Sequence, residues 1–370
     1  SDAGVLRLLK SSLANRRTAT TRPWPLSWQW SLAQTMLRAW HAGWTAQGNA
    51  KAWWGQQRIP QTLVDFFWQP LIEGALNTPF DQASAHVALR VLRDSLLGPA
   101  HASDTLHPLH DLSRNAINPV VDTLRGRGVQ LVSRCRITGL EPFHHQWRLG
   151  FHASSLSMAV AAGLADKAFD AVVLALPATA CRALALSVPA LSPQAADQFS
   201  REKQRWTTVR TLGVTTLYAA LTPEQSQAAQ LTPSILRPMP ASDDQVAMVL
   251  ARPPVAQGQI IAAVASATTK DRHEQTVHAL KTALEHTLAP RLGAAAFSQL
   301  PFRVTHEDQA TWACTADHVD SQQAWGPSAL GPGGLFRAAD DLTPGYPACI
   351  ESAVRGGVQT AQEVLRTLDS

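Results

Sequence analysis

Two adjacent acids near the C-terminus, Asp340 and Asp341, have the sequence surroundings of a ligand site. They follow a glycine-rich turn and a short apolar segment, Leu335 to Ala339, which predicts a strand. After Pro347, apolar residues recur at intervals of three and four, which predicts a helix; they are Ile350, Val354, Val358, Ala361 and Leu365. The first amides of a helix have no partner within it and favour an anion. The pattern therefore predicts a strand, an acid and a helix N-terminus around one ligand.

This arrangement resembles the C-terminal signature of the flavin-containing amine oxidase and carotenoid desaturase superfamily. The resemblance implies that Asp340 binds the ribityl chain of FAD and that the helix start faces the pyrimidine edge of the flavin. The cofactor-binding positions that it implies are Ile137, Ala339, Asp340, Ala348, Cys349 and Ile350. Ala339 and Ser352 stand where the family usually has Gly. The alternative reading of the stretch is an ordinary acidic loop before a surface helix.

A second stretch, Phe67 to Asp104, contains the segments W-x-P-L, A-L-N-T-P, A-S-A and V-L-R-D-S. At these spacings they resemble the bacterial hydroxysqualene dehydroxylase family, the squalene-associated FAD-dependent enzymes of hopanoid biosynthesis. The resemblance implies reductive conversion of hydroxysqualene to squalene, with hydride from reduced FAD. The polar candidates for catalysis are Asn77, Arg93 and Asp104, for which a turn residue, a surface cation and a helix cap are the competing roles. No catalytic acid or base is assigned.

The histidines and cysteines predict no metal site. His101, His107 and His110 have no ligand spacing on a helix face, and the four cysteines include no CxxC pair. Scattered cysteines also fit a reducing compartment. We therefore expect a protein of the bacterial cytoplasm.

The N-terminal region is basic and rich in Trp. Between Ser1 and Val64, Asp2 is the single acid, and the cations are Arg7, Lys10, Arg16, Arg17, Arg22, Arg38, Lys51 and Arg58. Eight of the twelve Trp lie in or just beyond this region: Trp24, Trp28, Trp30, Trp40, Trp44, Trp53, Trp54 and Trp68. This composition predicts either peripheral contact with the inner face of the membrane or a packed helical core. No known nucleic-acid module matches it, so no nucleic-acid partner is expected.

The length of 370 residues predicts two domains. The resemblance implies an α/β fold with an α+β substrate lobe. By resemblance, residues 1–110 form the helical part of the substrate lobe and 111–180 the middle of the FAD domain. Residues 181–305 form the antiparallel-sheet part of the lobe and 306–370 the end of the FAD domain. Within these parts, β-rich runs occur over 207–217, 245–251 and 259–267, and the apolar run 169–177 predicts a strand buried on both faces.

The superfamily normally opens with a βαβ unit carrying G-x-G-x-x-G, and this chain has no such fingerprint. GRGVQL, from Gly126, precedes a predicted strand instead of following one and has no third glycine. We therefore expect an amine-oxidase-like, two-domain FAD fold lacking its N-terminal dinucleotide-binding unit. We also expect this chain to bind FAD weakly. The expected substrate is a long apolar isoprenoid. The alternatives are another isoprenoid or carotenoid desaturase and a non-catalytic, membrane-binding remnant.

Overall fold

The computed structural model describes residues 24–97, 111–186, 193–232, 234–240, 246–322, 330 and 333–369. The fold mixes helices and sheets, as the sequence predicts. The α-helices are α1 (Leu26–His41), α2 (Ala50–Gln56), α3 (Gln61–Leu63), α4 (Gln69–Leu76), α5 (Ala85–Leu96), α6 (Asn118–Gly126), α7 (Leu156–Ala161), α8 (Ala178–Cys181), α9 (Pro193–Thr208), α10 (Pro223–Ala229), α11 (His273–Leu292), α12 (Ala294–Ser298), α13 (Ala316–Gln322) and α14 (Ile350–Leu368).

Shorter turns are π-helical at Val64–Trp68 and Ser113–Ile117, and 3₁₀-helical at Ala153–Ser155, Lys270–Arg272 and Asp340–Leu342. The strands are β1 (Ile137–Phe143), β2 (Gln146–Phe151), β3 (Ala168–Phe169), β4 (Val172–Leu174), β5 (Ala185–Leu186), β6 (Thr211–Leu221), β7 (Ser234–Pro240), β8 (Val246–Ala251), β9 (Gln259–Thr268), β10 (Phe302–Trp312) and β11 (Leu335–Arg337). Among the described helices, none is long and apolar enough to cross a bilayer.

The chain divides into two compact units. Unit 1 comprises Ser1–Leu109 and Thr211–Ser321, and unit 2 comprises His110–Arg210 and Gln322–Ser370. The predicted boundaries after residues 180 and 305 differ from the boundaries after Arg210 and Ser321. Helix α9 belongs to unit 2, where Glu202 lies close enough to Arg337 for their charges to interact. Strand β10 belongs to unit 1, because it pairs with β6 from Phe302 to Trp312.

Unit 1 is built on a five-stranded antiparallel sheet in the order β10-β6-β9-β8-β7. The predicted β-rich runs correspond to β6, β8 and β9. Strand β9 directs Ile261, Ala263 and Ala265 to the core, because alternate residues of a strand face the same side. Helix α11 covers this face with Leu280 and Leu284, which are fully buried.

Asn77 joins three strands of this sheet to the end of α4. Its side-chain amide donates to Thr311 Oγ1 at 2.8 Å, and its Oδ1 accepts from the Ala267 amide at 2.6 Å. Its backbone is left-handed, with φ of 45°. These contacts give Asn77 a structural role in unit 1, and a catalytic role gains no support from them.

Replacement of Asn77 by Ala is expected to lower the free energy of unfolding by about 2–3 kcal/mol, because buried groups lose their partners and Ala disfavours the left-handed region. Urea unfolding measures the change. Asn77→Gly is the control, since Gly adopts this backbone readily but also lacks the amide. Gly should recover part of the loss. If Ala and wild type unfold at the same urea concentration, the structural role is wrong.

Unit 2 contains a mixed four-stranded sheet, β3-β2-β1-β5, and a two-stranded parallel pair, β4 and β11. The predicted strand at 169–177 is shorter than expected, since β4 covers only Val172–Leu174. It is also not buried on both faces: Val173 is 41% exposed, while Leu174 is buried. Within the described residues, β4 and β11 form a sheet of two strands, and the face of β4 that bears Val173 is exposed.

The C-terminal helix α14 forms as predicted but begins at Ile350, three residues after Pro347. Its buried face consists of the small residues Ser352, Gly356 and Thr360. The predicted apolar stripe lies on the opposite side, where Ile350 is 77% and Leu365 61% exposed. The periodicity therefore identified the helix correctly, but the helix packs through its small residues.

Candidate functional site

The loop after β11 is held by a buried ion pair. The Arg337 guanidinium donates to both Asp341 carboxylate oxygens, at 2.9 and 2.6 Å. Both side chains are almost inaccessible, at 2% and 5% exposure. Bidentate pairing fixes the relative orientation of the two groups, because guanidinium and carboxylate are both planar. The pair therefore closes the loop that contains Asp340.

Asp340 starts the 3₁₀ turn and is half-buried. Burial raises the pKa of its carboxyl, and the neighbouring Asp341 charge raises it further. Hydrogen bonds from the Asp340 and Asp341 amides and the charge of Arg337 act in the opposite direction on this pKa. The ionised carboxylate of Asp340 is thus held in an environment that disfavours its charge, which is common at functional sites.

The Ser352 side chain, at a position where Gly was expected, forms hydrogen bonds at the start of α14. The buried Ser352 hydroxyl accepts from the Cys349 amide at 3.1 Å. It also lies 2.9 Å from the Pro347 carbonyl oxygen and 2.7 Å from that of Cys349. These contacts fix the turn from Pro347 to Ile350. The Ser352 amide donates to the side chain of Cys349, the N-cap residue, which leaves the Ile350 and Glu351 amides as the donors at the helix start. Ala348 and Cys349 are half-buried here, and the Ile350 side chain is exposed.

Three contacts join the Asp340 loop to α14. Thr343 Oγ1 donates to the Ser352 carbonyl at 2.7 Å, and Thr360 Oγ1 lies 3.0 Å from the Arg337 carbonyl. At Gly356 the backbones come so close that a Cβ would lie 2.7 Å from the Ala339 carbonyl oxygen. The loop and the helix therefore hold each other in place, with the acid and the helix start on one rigid support.

Gly356→Ala is expected to destabilise the protein by about 1–3 kcal/mol, because the new methyl group meets a backbone oxygen that cannot rotate away. The matched control is Gly357→Ala, where a Cβ has open space around it. That change should be neutral or stabilising by up to about 1 kcal/mol, since Ala favours helix more than Gly. Thermal unfolding of the two variants checks this. Equal effects would contradict the close approach at Ala339.

Two further titratable groups surround the Arg337 guanidinium. Burial raises the pKa of Glu202, on α9, and the charge of Arg337 lowers it in part. Burial likewise raises the pKa of the Cys181 thiol, which also interacts with Arg337. Arg337 Nε is buried with no hydrogen-bond partner among the described residues. These four residues form a mainly buried cluster in which Arg337 is the cation, and Arg205 on α9 adds a second positive charge 3.4 Å from the Glu202 carboxylate.

The other predicted site residues do not belong to this loop or to α14. Ile137 begins β1 in the four-stranded sheet of unit 2 and is 39% exposed. Arg93 lies on α5 of unit 1 and forms an ion pair with Asp94 at 2.8 Å. Asn77 is also in unit 1, and Asp104 lies outside the described residues. Among the described residues, no group of three His, Cys, Asp or Glu could hold a metal ion.

No family model matches the chain, and no curated protein matches it. Solved structures do match it over most of its length. Putrescine oxidase bound to putrescine aligns with a TM-score of 0.59 at 14% identity, over 94% of this chain and 78% of that one. Cyclohexylamine oxidase from Brevibacterium oxydans aligns with a TM-score of 0.60 at 11% identity, over 95% and 77%.

The chain has an amine-oxidase-like fold. A putative protoporphyrinogen oxidase from Exiguobacterium also aligns, with a TM-score of 0.52 at 12% identity, over 88% of this chain and 68% of that one. At these identities the likeness concerns architecture. It agrees with the predicted fold class, and it leaves the substrate open.

Sequence reasoning missed the ion pair that supports the site. The sequence predicts Arg337 only as part of a short strand, and it identifies Asp341 only as the second of two adjacent acids. Their spacing of four residues is a common ion-pair spacing in helices, but here it spans a strand end and a turn. The available signal was an Arg inside a short apolar segment. A cation that is buried with such a segment requires an acid nearby.

Proposed function

We propose that unit 2 binds FAD at Asp340 and the start of α14, and that the chain is an FAD-dependent oxidoreductase. The observation that carries the proposal is the half-buried Asp340 carboxyl, on a loop joined to α14 through Thr343 and Gly356. The amine-oxidase-like fold supports the same reading.

The groups at this position fit the flavin part of the cofactor. A carboxylate whose charge is disfavoured by burial gains from accepting hydrogen bonds of polyol hydroxyls, such as those of a ribityl chain. The first amides of α14 provide donors and a partial positive charge for the electron-rich edge of a reduced flavin. Asp340 would therefore hold the ribityl chain, and the turn at Ala348 to Ile350 would face the ring.

The proposed reaction is reductive dehydroxylation of hydroxysqualene to squalene, in a reducing cytoplasm. It rests on the segments between Phe67 and Asp104 and on the four cysteines, none of which forms a disulfide bond. In this reaction the C–O bond breaks, the hydroxyl takes a proton and leaves as water, and a hydride completes the new C–H bond. FAD, when bound in its reduced form, supplies that hydride. The proton donor stays unassigned.

Flavin titration tests the cofactor proposal. We expect the purified chain to lose flavin during purification and to rebind added FAD weakly, because it has no G-x-G-x-x-G segment for the pyrophosphate. Binding is followed by quenching of flavin fluorescence. Absence of any saturable binding would contradict the site. Stoichiometric flavin in the purified protein would contradict only the expectation of weak binding.

A substrate assay tests the reaction. The chain is incubated anaerobically with chemically reduced FAD and hydroxysqualene, and squalene is measured by mass spectrometry. Phytoene with oxidised FAD is the parallel assay, because desaturation consumes oxidised flavin. Squalene formation above the protein-free control supports the proposal. Turnover of phytoene alone would favour the carotenoid desaturase. Flavin binding without turnover of either compound would separate the cofactor site from the proposed substrate.

A further inference from the structure

Helix α1 exposes an apolar stripe along one side. Leu26 is 74% and Trp30 68% exposed, followed by Leu37 at 44% and Trp40 at 45%. At 100° per residue these four positions lie within about 80° of the helix circumference. The opposite side, with Thr35, Met36 and Ala39, is buried in unit 1. The helix therefore packs through one face and presents Leu and Trp on the other.

The structure divides the Trp-rich region into two groups. Trp44, Trp54 and Trp68 are at most 6% exposed and form part of the core of unit 1. Trp30 and Trp40 do not join them, although core positions are the usual place for so large a ring. The predicted packed helical core is therefore confirmed for the first group only, whereas the side chains of the second group are accessible.

Exposed cations lie on α1, on α2 and on the segment that α1 contacts. Arg38 lies on α1 and donates to the Gln57 carbonyl at 2.6 Å, which joins the helix to the segment after α2. Lys51 and Arg58, on either side of that contact in sequence, are exposed. The sequence contains no Asp or Glu between Asp2 and Asp65. A partner that contacts this surface therefore meets Trp, Leu and positive charge together.

We infer that α1 lies on the surface of an anionic lipid bilayer, with Leu26, Trp30, Leu37 and Trp40 inserted at headgroup depth. Trp prefers this depth because its ring is apolar and its N–H is polar. A helix with an apolar face and cationic flanks is the usual form of such contacts. The charge favours anionic lipid over a zwitterionic surface. This inference concerns unit 1 alone and does not depend on flavin binding.

Vesicle co-sedimentation tests the inference with the full chain. Wild type should bind phosphatidylglycerol-containing vesicles, and its Trp emission should shift to the blue. The double variant Leu26→Ser/Trp30→Ser should bind at least about tenfold more weakly, since two apolar side chains no longer insert. Lys51→Gln/Arg58→Gln should reduce binding to anionic vesicles by about fivefold per charge removed. High salt should reduce wild-type binding in the same direction.

The control is Val358→Ser/Leu365→Ser on α14, which removes exposed apolar side chains from the other unit. It should leave vesicle binding within about twofold of wild type. Equal loss in the two double variants would overturn the inference in favour of general adhesiveness. So would wild-type protein that stays in the supernatant. A lower mass by light scattering for Leu26→Ser/Trp30→Ser, without a change in vesicle binding, would assign the stripe to a second copy of the chain and also overturn it.

Discussion

Arg337→Met is expected to lower the free energy of unfolding by about 3–5 kcal/mol, because it leaves the buried Asp341 carboxylate without its partner. Asp341 is 5% exposed in its side chain, so water cannot take over the two hydrogen bonds without rearrangement. Urea unfolding monitored by circular dichroism measures the change. The loss should be accompanied by displacement of the Asp340 loop, since the ion pair joins the strand to that loop.

Two variants make this prediction specific. Arg355→Met removes an exposed ion pair, with Glu351 at 2.7 Å, and should change stability by less than about 1 kcal/mol. Arg337→Met/Asp341→Leu removes both partners of the ion pair and should recover much of the single-variant loss, because the Asp341 carboxylate is no longer left buried without its partner. An Arg337→Met protein as stable as Arg355→Met would show that the buried pair does not hold the loop.

Asp340→Asn is expected to act in opposite directions on flavin binding and on stability. If Asp340 accepts hydrogen bonds from the ribityl chain, the neutral amide should weaken FAD binding by about tenfold or more, since hydrogen bonds to a charged group contribute about 1.5–3 kcal/mol. The flavin-free variant, in contrast, should have a higher melting temperature at neutral pH. Fluorescence titration and calorimetry measure the two effects on one preparation.

The sign of the stability change follows from the pKa of Asp340. Its pKa in the folded protein is raised, mainly by burial, so the folded state binds a proton more tightly than the unfolded chain. Stability from this group is therefore fully present below the unfolded pKa, near the ordinary value of 3.8, and is lost as the pH rises through the folded pKa. The advantage of Asn should be largest at neutral pH and should vanish in acid.

The matched control for both effects is Asp122→Asn on α6 of unit 2, an exposed acid 3.9 Å from Arg125. It should change neither FAD binding nor the melting temperature. Unchanged FAD affinity in Asp340→Asn would remove this acid from the cofactor site. A variant that melts lower than wild type at neutral pH would show that the carboxylate stabilises the loop.

Period and composition predicted some of the helices and long strands; β10 was not predicted, and the strand predicted after Gly128 does not form, since β1 begins only at Ile137. Strands β6, β8 and β9 and helix α14 were all expected from the sequence, because alternation and intervals of three and four are local properties. Which face of a helix packs is not local. In α14 the contact with Ala339 and Arg337 selects Gly356 and Thr360, since only small side chains permit that approach.

The candidate site shows the same limit. Asp340 and the helix start were predicted by resemblance, and the structure places them on one support. The supporting groups come from positions far apart in sequence, as with Glu202 near Arg337, and no spacing rule connects these residues. Likewise, the Trp-rich composition could not separate Trp54, which is 1% exposed, from Trp30, which is 68% exposed. Only the packing of α1 and α2 decides that.

Cys349, the N-cap residue of α14, offers a site for a spectroscopic label. Of the four thiols, Cys181 and Cys314 are buried, whereas Cys135 and Cys349 are reachable. After Cys135→Ser, a maleimide dye would attach at Cys349, beside the amides that we assign to the isoalloxazine. Energy transfer between this dye and flavin would then measure flavin binding over time, and no substrate would be required.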